Sequence, residues 1–182
     1  HTGHWPHEGV DFTGVRLGVI GTGSSGIQSI PLLAEQAAEL TVFQRTPNFS
    51  MPAGNRPLAA EEITDMKENY RDWRAAQRSS GFGVPVPAPT QSALEVSEDE
   101  RRATYQAGWD QGNLVGVLAS YTDTLTDARA NDTAAEFVRE KIRAKVTDPA
   151  TAEKLCPTSF PYGTKRPCLD TGYYETFNSE HV

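Results

Sequence analysis

Cysteine is nearly absent from this chain of 182 residues, with Cys156 and Cys168 the whole supply. Neither lies in a Cys-x-x-Cys pair or beside a cluster of histidines, which excludes a disulfide framework and a thiolate metal site. No apolar run approaches the ~20 residues a membrane-spanning helix needs, and no signal peptide leads the chain. The expectation is a soluble cytoplasmic protein with no membrane partner. Clusters of lysine and arginine are missing too, and a formal net charge of -7 argues against a nucleic-acid surface. Hydrophobic residues make up 37% of the chain and mean hydropathy is -0.52, so any core should be modest. The chain opens at His1 rather than at a methionine, which leaves room for an original amino terminus ahead of it.

Glycine is where the informative pattern lies. Gly21-Thr22-Gly23-Ser24-Ser25-Gly26 follows the apolar run Arg16-Leu17-Gly18-Val19-Ile20 and opens residues 27–38, whose apolar positions recur at helical spacing. Strand, glycine turn and helix in that order suit a dinucleotide phosphate. Gly21 can take the tight turn, Gly23 lets a pyrophosphate reach bare backbone, and Gly26 lets the helix lie close to the strand. Amides and the positive end of the helix dipole would then face the phosphates. Residues 39–44 read as a second strand that closes a strand-helix-strand unit, and Pro31 predicts a kink in the helix between.

The end of that second strand distinguishes the two nicotinamide coenzymes. An NAD site wants an acid there for the ribose hydroxyls, whereas a 2'-phosphate wants a cation. This chain offers Gln44-Arg45-Thr46 and no acid. Arg45 can make forked, charge-assisted hydrogen bonds and Thr46 can add a hydroxyl, so the preference is for NADPH.

Pro52, Gly54 and Pro57 mark a linker, and residues 59–79 then read as one helix with Ile63, Met66, Tyr70 and Trp73 in a stripe expected to pack in a core. Pro85, Pro87 and Pro89 force an extended or looped segment. Ser97-Glu98-Asp99-Glu100 is a capping box that starts a helix running toward Trp109 and ending near Gly112. Residues 114–125 read as helical despite Gly116. Residues 131–146 read as a helix with Ala134, Phe137, Val138 and Ile142 on one face, and Asp148-Pro149 starts a short helix to Leu155. Pro157, Pro161, Gly163 and Pro167 then hold an irregular loop around Tyr162, Thr164, Lys165 and Arg166. His1, His4 and His7 lack the spacing of a zinc site and any placed partner, so no metal is expected.

His1, Trp5 and Pro6 match the second half of the signature Phe-x-Gly-x-x-x-His-x-x-x-Trp-Pro. With Gly21 to Gly26, Gln44-Arg45-Thr46-Pro47-Asn48, Gly163-Thr164-Lys165-Arg166 and Tyr173-Tyr174-Glu175, the chain resembles a stretch of the type I Baeyer-Villiger monooxygenases. The resemblance implies an α/β fold: a Rossmann-like NADP-binding domain with an incomplete parallel sheet and an inserted all-helical subdomain. The implied divisions are a linker with the signature tail over residues 1–8, a Rossmann segment over 9–57, the helical insertion over 58–155 and a return to the NADP-binding domain over 156–182. In that family NADPH reduces FAD, and the flavin delivers oxygen from O2 beside a ketone carbonyl to give an ester or lactone. By resemblance, Arg166 lies over the flavin and is the catalytic residue, since an arginine stays charged at any working pH and can stabilise negative charge on the reacting oxygens. Lys165 would help hold the NADP phosphate. Gly21, Thr22, Gly23, Ser24, Ser25, Gly26, Gln28, Arg45 and Thr46 complete the cofactor-binding set, and His1, Trp5 and Pro6 are conformational. The main FAD-binding segments have no counterpart in this chain, so it is expected to act as part of a parent enzyme, inactive alone, with the remainder of that enzyme as its partner.

Three other readings fit the residues. One is part of an N- or S-oxidising flavin monooxygenase; another is a non-catalytic nucleotide-binding or interaction module. The third is a stretch that folds poorly because its sheet lacks strands.

Overall fold

In the computed structural model, residues 1–81, 83, 84 and 86–182 are described; Pro85 of the expected proline segment lies outside them. The fold is mixed α/β, with seven α-helices and two small parallel sheets among those residues.

The first sheet pairs β1 (Arg16–Ile20) with β2 (Glu39–Phe43) in parallel, Gly18 opposite Thr41. Between them α1 (Ser24–Ala34) starts three residues earlier than its apolar spacing indicates, because Gly23 can cap it, and runs unbroken through Pro31. It stops at Glu35 as the chain turns, where the Ala38 amide donates to the Val15 carbonyl at 3.0 Å. One sheet face, with Leu17, Val19, Leu40 and Val42, packs toward α1. The other leaves Ile20 89% and Phe43 55% exposed, although parallel sheets are ordinarily covered on both faces.

The sequence places the end of the strand pattern at Pro47, yet β3 (Ser50–Pro52) follows and pairs in parallel with β4 (Cys168–Asp170). Three-residue strands fall below what period-two alternation can reveal. Between them lie α2 (Ala60–Glu68), α3 (Tyr70–Ser79), α4 (Glu98–Asp110), α5 (Ala128–Lys145) and α6 (Pro149–Leu155), and α7 (Tyr173–Thr176) follows β4.

The single helix expected over residues 59–79 is broken at Asn69, whose φ of -102° and ψ of 21° leave the helical region. Its side chain bonds Asp65 at 2.7 Å and fixes the break. The stripe on these helices is not core. Ile63, Met66, Tyr70 and Trp73 are 39 to 59% exposed, and neither helix buries a residue.

The helix expected over residues 114–125 is a series of turns. Asn113 accepts the Val115 and Gly116 amides, and Gly116 lies so near Gly108 of α4 that a Cβ on it would stand 2.0 Å from the Gly108 carbonyl oxygen. Close backbone packing replaces helix there. Ser97 caps α4 through the Glu100 amide, Asp127 starts α5 three residues ahead of Asn131, and Asp148 caps α6 with Pro149 in its first turn.

Two cores result. Phe49, Met51, Tyr105, Trp109, Tyr121, Phe137 and Tyr162 anchor one; Ile27, Ile30, Leu40, Ile142, Leu155, Tyr173 and Tyr174 anchor the other. Helix α5 serves both, with Ala134, Phe137 and Val138 in the first and Ile142 in the second. No helix among the described residues is long and apolar enough to cross a membrane.

Candidate functional site

The glycine turn adopts the shape its spacing demands. Gly21 has a φ of +98°, where a side chain would be strained, and its amide donates to the Phe43 carbonyl at 2.9 Å. A Cβ on Gly26 would lie 2.2 Å from the Gly21 carbonyl oxygen, so helix and turn touch only because Gly26 is bare. Gly23 has open space around it and brings no side-chain cap to α1. No acid stands in the first turn. The amides there lack helical partners and the dipole's positive end is free to meet an anion.

Thr22 is buried, and its hydroxyl donates to the Thr46 carbonyl at 3.3 Å, tying the turn to the loop after β2. That loop and the turn form the walls of a cavity of about 490 Å³ whose lining includes Gly21, Thr22, Gly23, Arg45, Thr46 and Lys165. The glycine turn, Arg45 and Lys165 thus meet across more than a hundred residues of chain. The β3–β4 pair explains how. The Arg45 loop leads into β3 and the Lys165 loop into β4, and with Ser50 opposite Cys168 in parallel both loops emerge at the same end.

The cations are available. Among the described residues none of Arg45, Lys165 and Arg166 forms an ion pair, and all three are exposed. The Lys165 ammonium lies 4.2 Å from the centre of the Phe160 ring, which steadies it without neutralising it. Arg45 also borders a second cavity of about 560 Å³ along β2, with Leu40, Val42, Thr151, Lys154 and Phe177.

Other expected residues lie apart. Arg166 does not line the 490 Å³ cavity. Ser24 Oγ meets Cys168 Sγ at 3.4 Å and Gln28 reaches the Leu169 carbonyl at 3.4 Å, which fastens α1 to β4, while the Ser25 carbonyl accepts the Ser29 hydroxyl within α1. His1 caps a short 3-10 turn, Thr2–His4, through the Gly3 amide at 3.2 Å. Trp5 packs on Phe12 with ring centres 5.7 Å apart, and none of His1, Trp5 and Pro6 lines the cavity.

Two contributors carried no assigned role in the sequence. Asn48 lines the cavity, donates to Cys168 Sγ at 3.1 Å and keeps Oδ1 buried without a partner. Its place three residues after Arg45 was the available signal. Tyr174 sends its hydroxyl to the Asn48 carbonyl at 3.4 Å, and burial, reinforced by Asp170 nearby, raises its pKa well above the usual tyrosine value, so that hydroxyl stays a donor.

No family model matches the chain. Cyclohexanone 1,2-monooxygenase of Acinetobacter sp is 40% identical over 183 residues, covering 100% of this chain and 33% of that protein. Phenazine N-monooxygenase PhzNO1 of Lysobacter antibioticus is 39% identical over 183 residues, covering 100% and 33%. An oxidized steroid monooxygenase solved with NADP bound superposes with a TM-score of 0.94 at 55% identity, over 100% of this chain and 35% of that one. The chain spans about a third of the length of the curated relatives it matches.

Proposed function

We propose, from the premise that this chain belongs with the Baeyer-Villiger monooxygenases and spans about a third of them, that it forms the NADPH-binding portion of an enzyme inserting oxygen beside a ketone carbonyl. The observation that carries this reading is the single cavity lined by the glycine turn, Arg45, Thr46 and Lys165.

The residues fit a dinucleotide: bare backbone at Gly23 and free amides at the start of α1 suit its phosphates, and the unpartnered Asn48 Oδ1, an acceptor lining the same cavity, suits a ribose hydroxyl. NADPH, when bound, supplies a hydride, and FAD in the whole enzyme supplies the oxygen chemistry. Gly21, Gly23, Ser24, Ser25 and Gly26 present backbone to the pyrophosphate, with Thr22 and Gln28 holding the turn in place. Arg45, Thr46 and Lys165 grip the 2'-phosphate. Arg166, exposed and outside this cavity, would meet the flavin of the whole enzyme and stabilise negative charge on the reacting oxygens. The helices between β3 and β4, residues 58–155, form an inserted subdomain, in keeping with strands 50–52 and 168–170 pairing across them.

Titration of the chain with NADPH and NADH, beside Arg45→Ala, tests this. Charge-assisted bonds to the phosphate contribute about 1.5–3 kcal/mol, so a roughly ten- to hundredfold preference for NADPH is expected and the substitution should remove it. Equal affinity for both nucleotides in the unsubstituted chain would overturn the reading.

The likeness to a phenazine N-monooxygenase favours a second reading, N-oxidation by the whole enzyme. Turnover of ketones and of aromatic nitrogen heterocycles by the full-length enzyme separates the two.

A further inference from the structure

Asp170 is 3% exposed and Ser50 is fully buried, and the Ser50 hydroxyl donates to Asp170 Oδ2 across the β3–β4 ladder. Asp170 Oδ1 accepts the Gly172 amide at 3.3 Å, and no ion pair reaches this carboxylate among the described residues. Burying a carboxylate without a cation is costly, so its stabilising return is sought elsewhere.

The ladder itself is meagre. It has three residue pairs, with the Cys168 amide donating to Phe49 and the Ala53 amide to Asp170, each at 2.9 Å. With so few backbone bonds its register rests on its side chains, because a slip of one residue would send every one of them to the opposite face. That slip would carry the Lys165 loop past the Arg45 loop by one residue, about 3.3 Å, which exceeds the tolerance of a forked hydrogen bond. A serine and an aspartate that meet only in the observed register forbid it.

We infer that Ser50 and Asp170 form a register clamp, a pair of positioning residues that hold Arg45 and Lys165 at the separation a single phosphate requires. The inference rests on the coenzyme reading above. The clamp does not touch the nucleotide; it acts through the two loops. Three further side-chain contacts join the same segments, Asn48 to Cys168 Sγ, the Tyr174 hydroxyl to the Asn48 carbonyl and the Tyr162 hydroxyl to Met51 Sδ, so the clamp sets register where those contacts add hold.

The experiment uses the chain with Asp170→Ala, Asp170→Asn and Ser50→Ala, and two readouts. Hydrogen exchange at the Ala53 and Cys168 amides reports the ladder, with α5 amides as the reference. Parallel NADPH and NADH titrations report the consequence. Asp170→Ala should speed exchange at both amides at least about tenfold relative to α5 and weaken NADPH about tenfold while leaving NADH unchanged. Ser50→Ala should do the same to a smaller extent. Asp170→Asn, whose amide can donate to Ser50 and still accept from Gly172, should restore both readouts. The clamp is overturned if exchange at Ala53 and Cys168 does not respond, or if NADPH and NADH weaken together, as a general loss of folding would cause. Should exchange respond in the expected pattern while the unsubstituted chain binds neither nucleotide, the pair's hold on the β3–β4 register stands and its service to a phosphate falls with the coenzyme reading.

Discussion

Helices α2–α3 and α5 both carry apolar residues at steps of three and four, and the structure treats them oppositely. On α5, Ala134, Val138 and Ile142 are fully buried and Phe137 is 4% exposed, whereas Trp73 of α3 is 40% exposed and Tyr70 59%. A periodic stripe states that a helix has an apolar face; it does not state that a partner exists to cover it. The partners for α5 come from two directions, aromatic residues of α4 on one side and helices α6 and α7 on the other. Helices α2 and α3 touch mainly each other.

The largest expected effect follows from removing a ring on the buried side. Phe137 lies 5.6 Å from Tyr105 and 6.3 Å from Trp109, ring centre to ring centre, so Phe137→Ala opens a cavity among aromatics that cannot collapse around it. A loss of about 3–5 kcal/mol in denaturant unfolding is expected. A loss below about 1 kcal/mol would mean that α5 is not the common wall of both cores.

Next comes Asn131, which ties α5 to the loop bearing Lys165. Its amide donates to the Thr124 and Tyr162 carbonyls at 2.9 and 2.8 Å, and its oxygen accepts the Tyr162 amide at 2.9 Å. Asn131→Ala strands these buried groups, at a cost of about 1–3 kcal/mol, and should loosen the Tyr162–Lys165 turn. Unchanged protection of the Tyr162 amide would count against that link.

What was legible in the sequence divides along the same line. Gly21, Gly23 and Gly26 could be read because each answers a backbone requirement a few residues away, and Ser97 and Asp148 because caps are local. Strands β3 and β4 could not, since three residues such as Ser50-Met51-Pro52 acquire their partner only through a long-range pairing. The meeting of Arg45 with Lys165 depends on that pairing, so both cations could be named from sequence while their shared cavity could not. The fate of Trp73 was hidden for a related reason: its neighbours are chosen by the whole fold.

Acid should probe the buried side more gently. Burial pushes the Glu136 carboxyl on α5 upward, but hydrogen bonds from Arg139 and Arg143 outweigh this and hold it below its ordinary 4.5. A depressed folded value means stability that is fully present above about pH 4.5 and drains away as pH falls toward that lower value. With the Glu136 side chain 46% exposed, solvent screening keeps the contribution to about 1 kcal/mol or less. Glu136→Gln should therefore lower the melting temperature slightly at neutral pH and flatten its acid limb below pH 4.5, where the two profiles converge. An acid limb of the same slope in both proteins would remove the pair from the account.

The smallest expected change belongs to the exposed stripe. Trp73 donates Nε1–H to Asp65 at 3.2 Å on an exposed surface, where water can replace either partner. Trp73→Ala should shift the unfolding free energy by no more than about 0.5 kcal/mol, an order of magnitude less than the ring removed from Phe137, although indole is the larger group. The size of the side chain cannot explain such an inversion; only the presence or absence of packed neighbours can. If Trp73→Ala instead cost about 3 kcal/mol, the α2–α3 face would be packed in solution, and the stripe would be the core element its spacing first suggested.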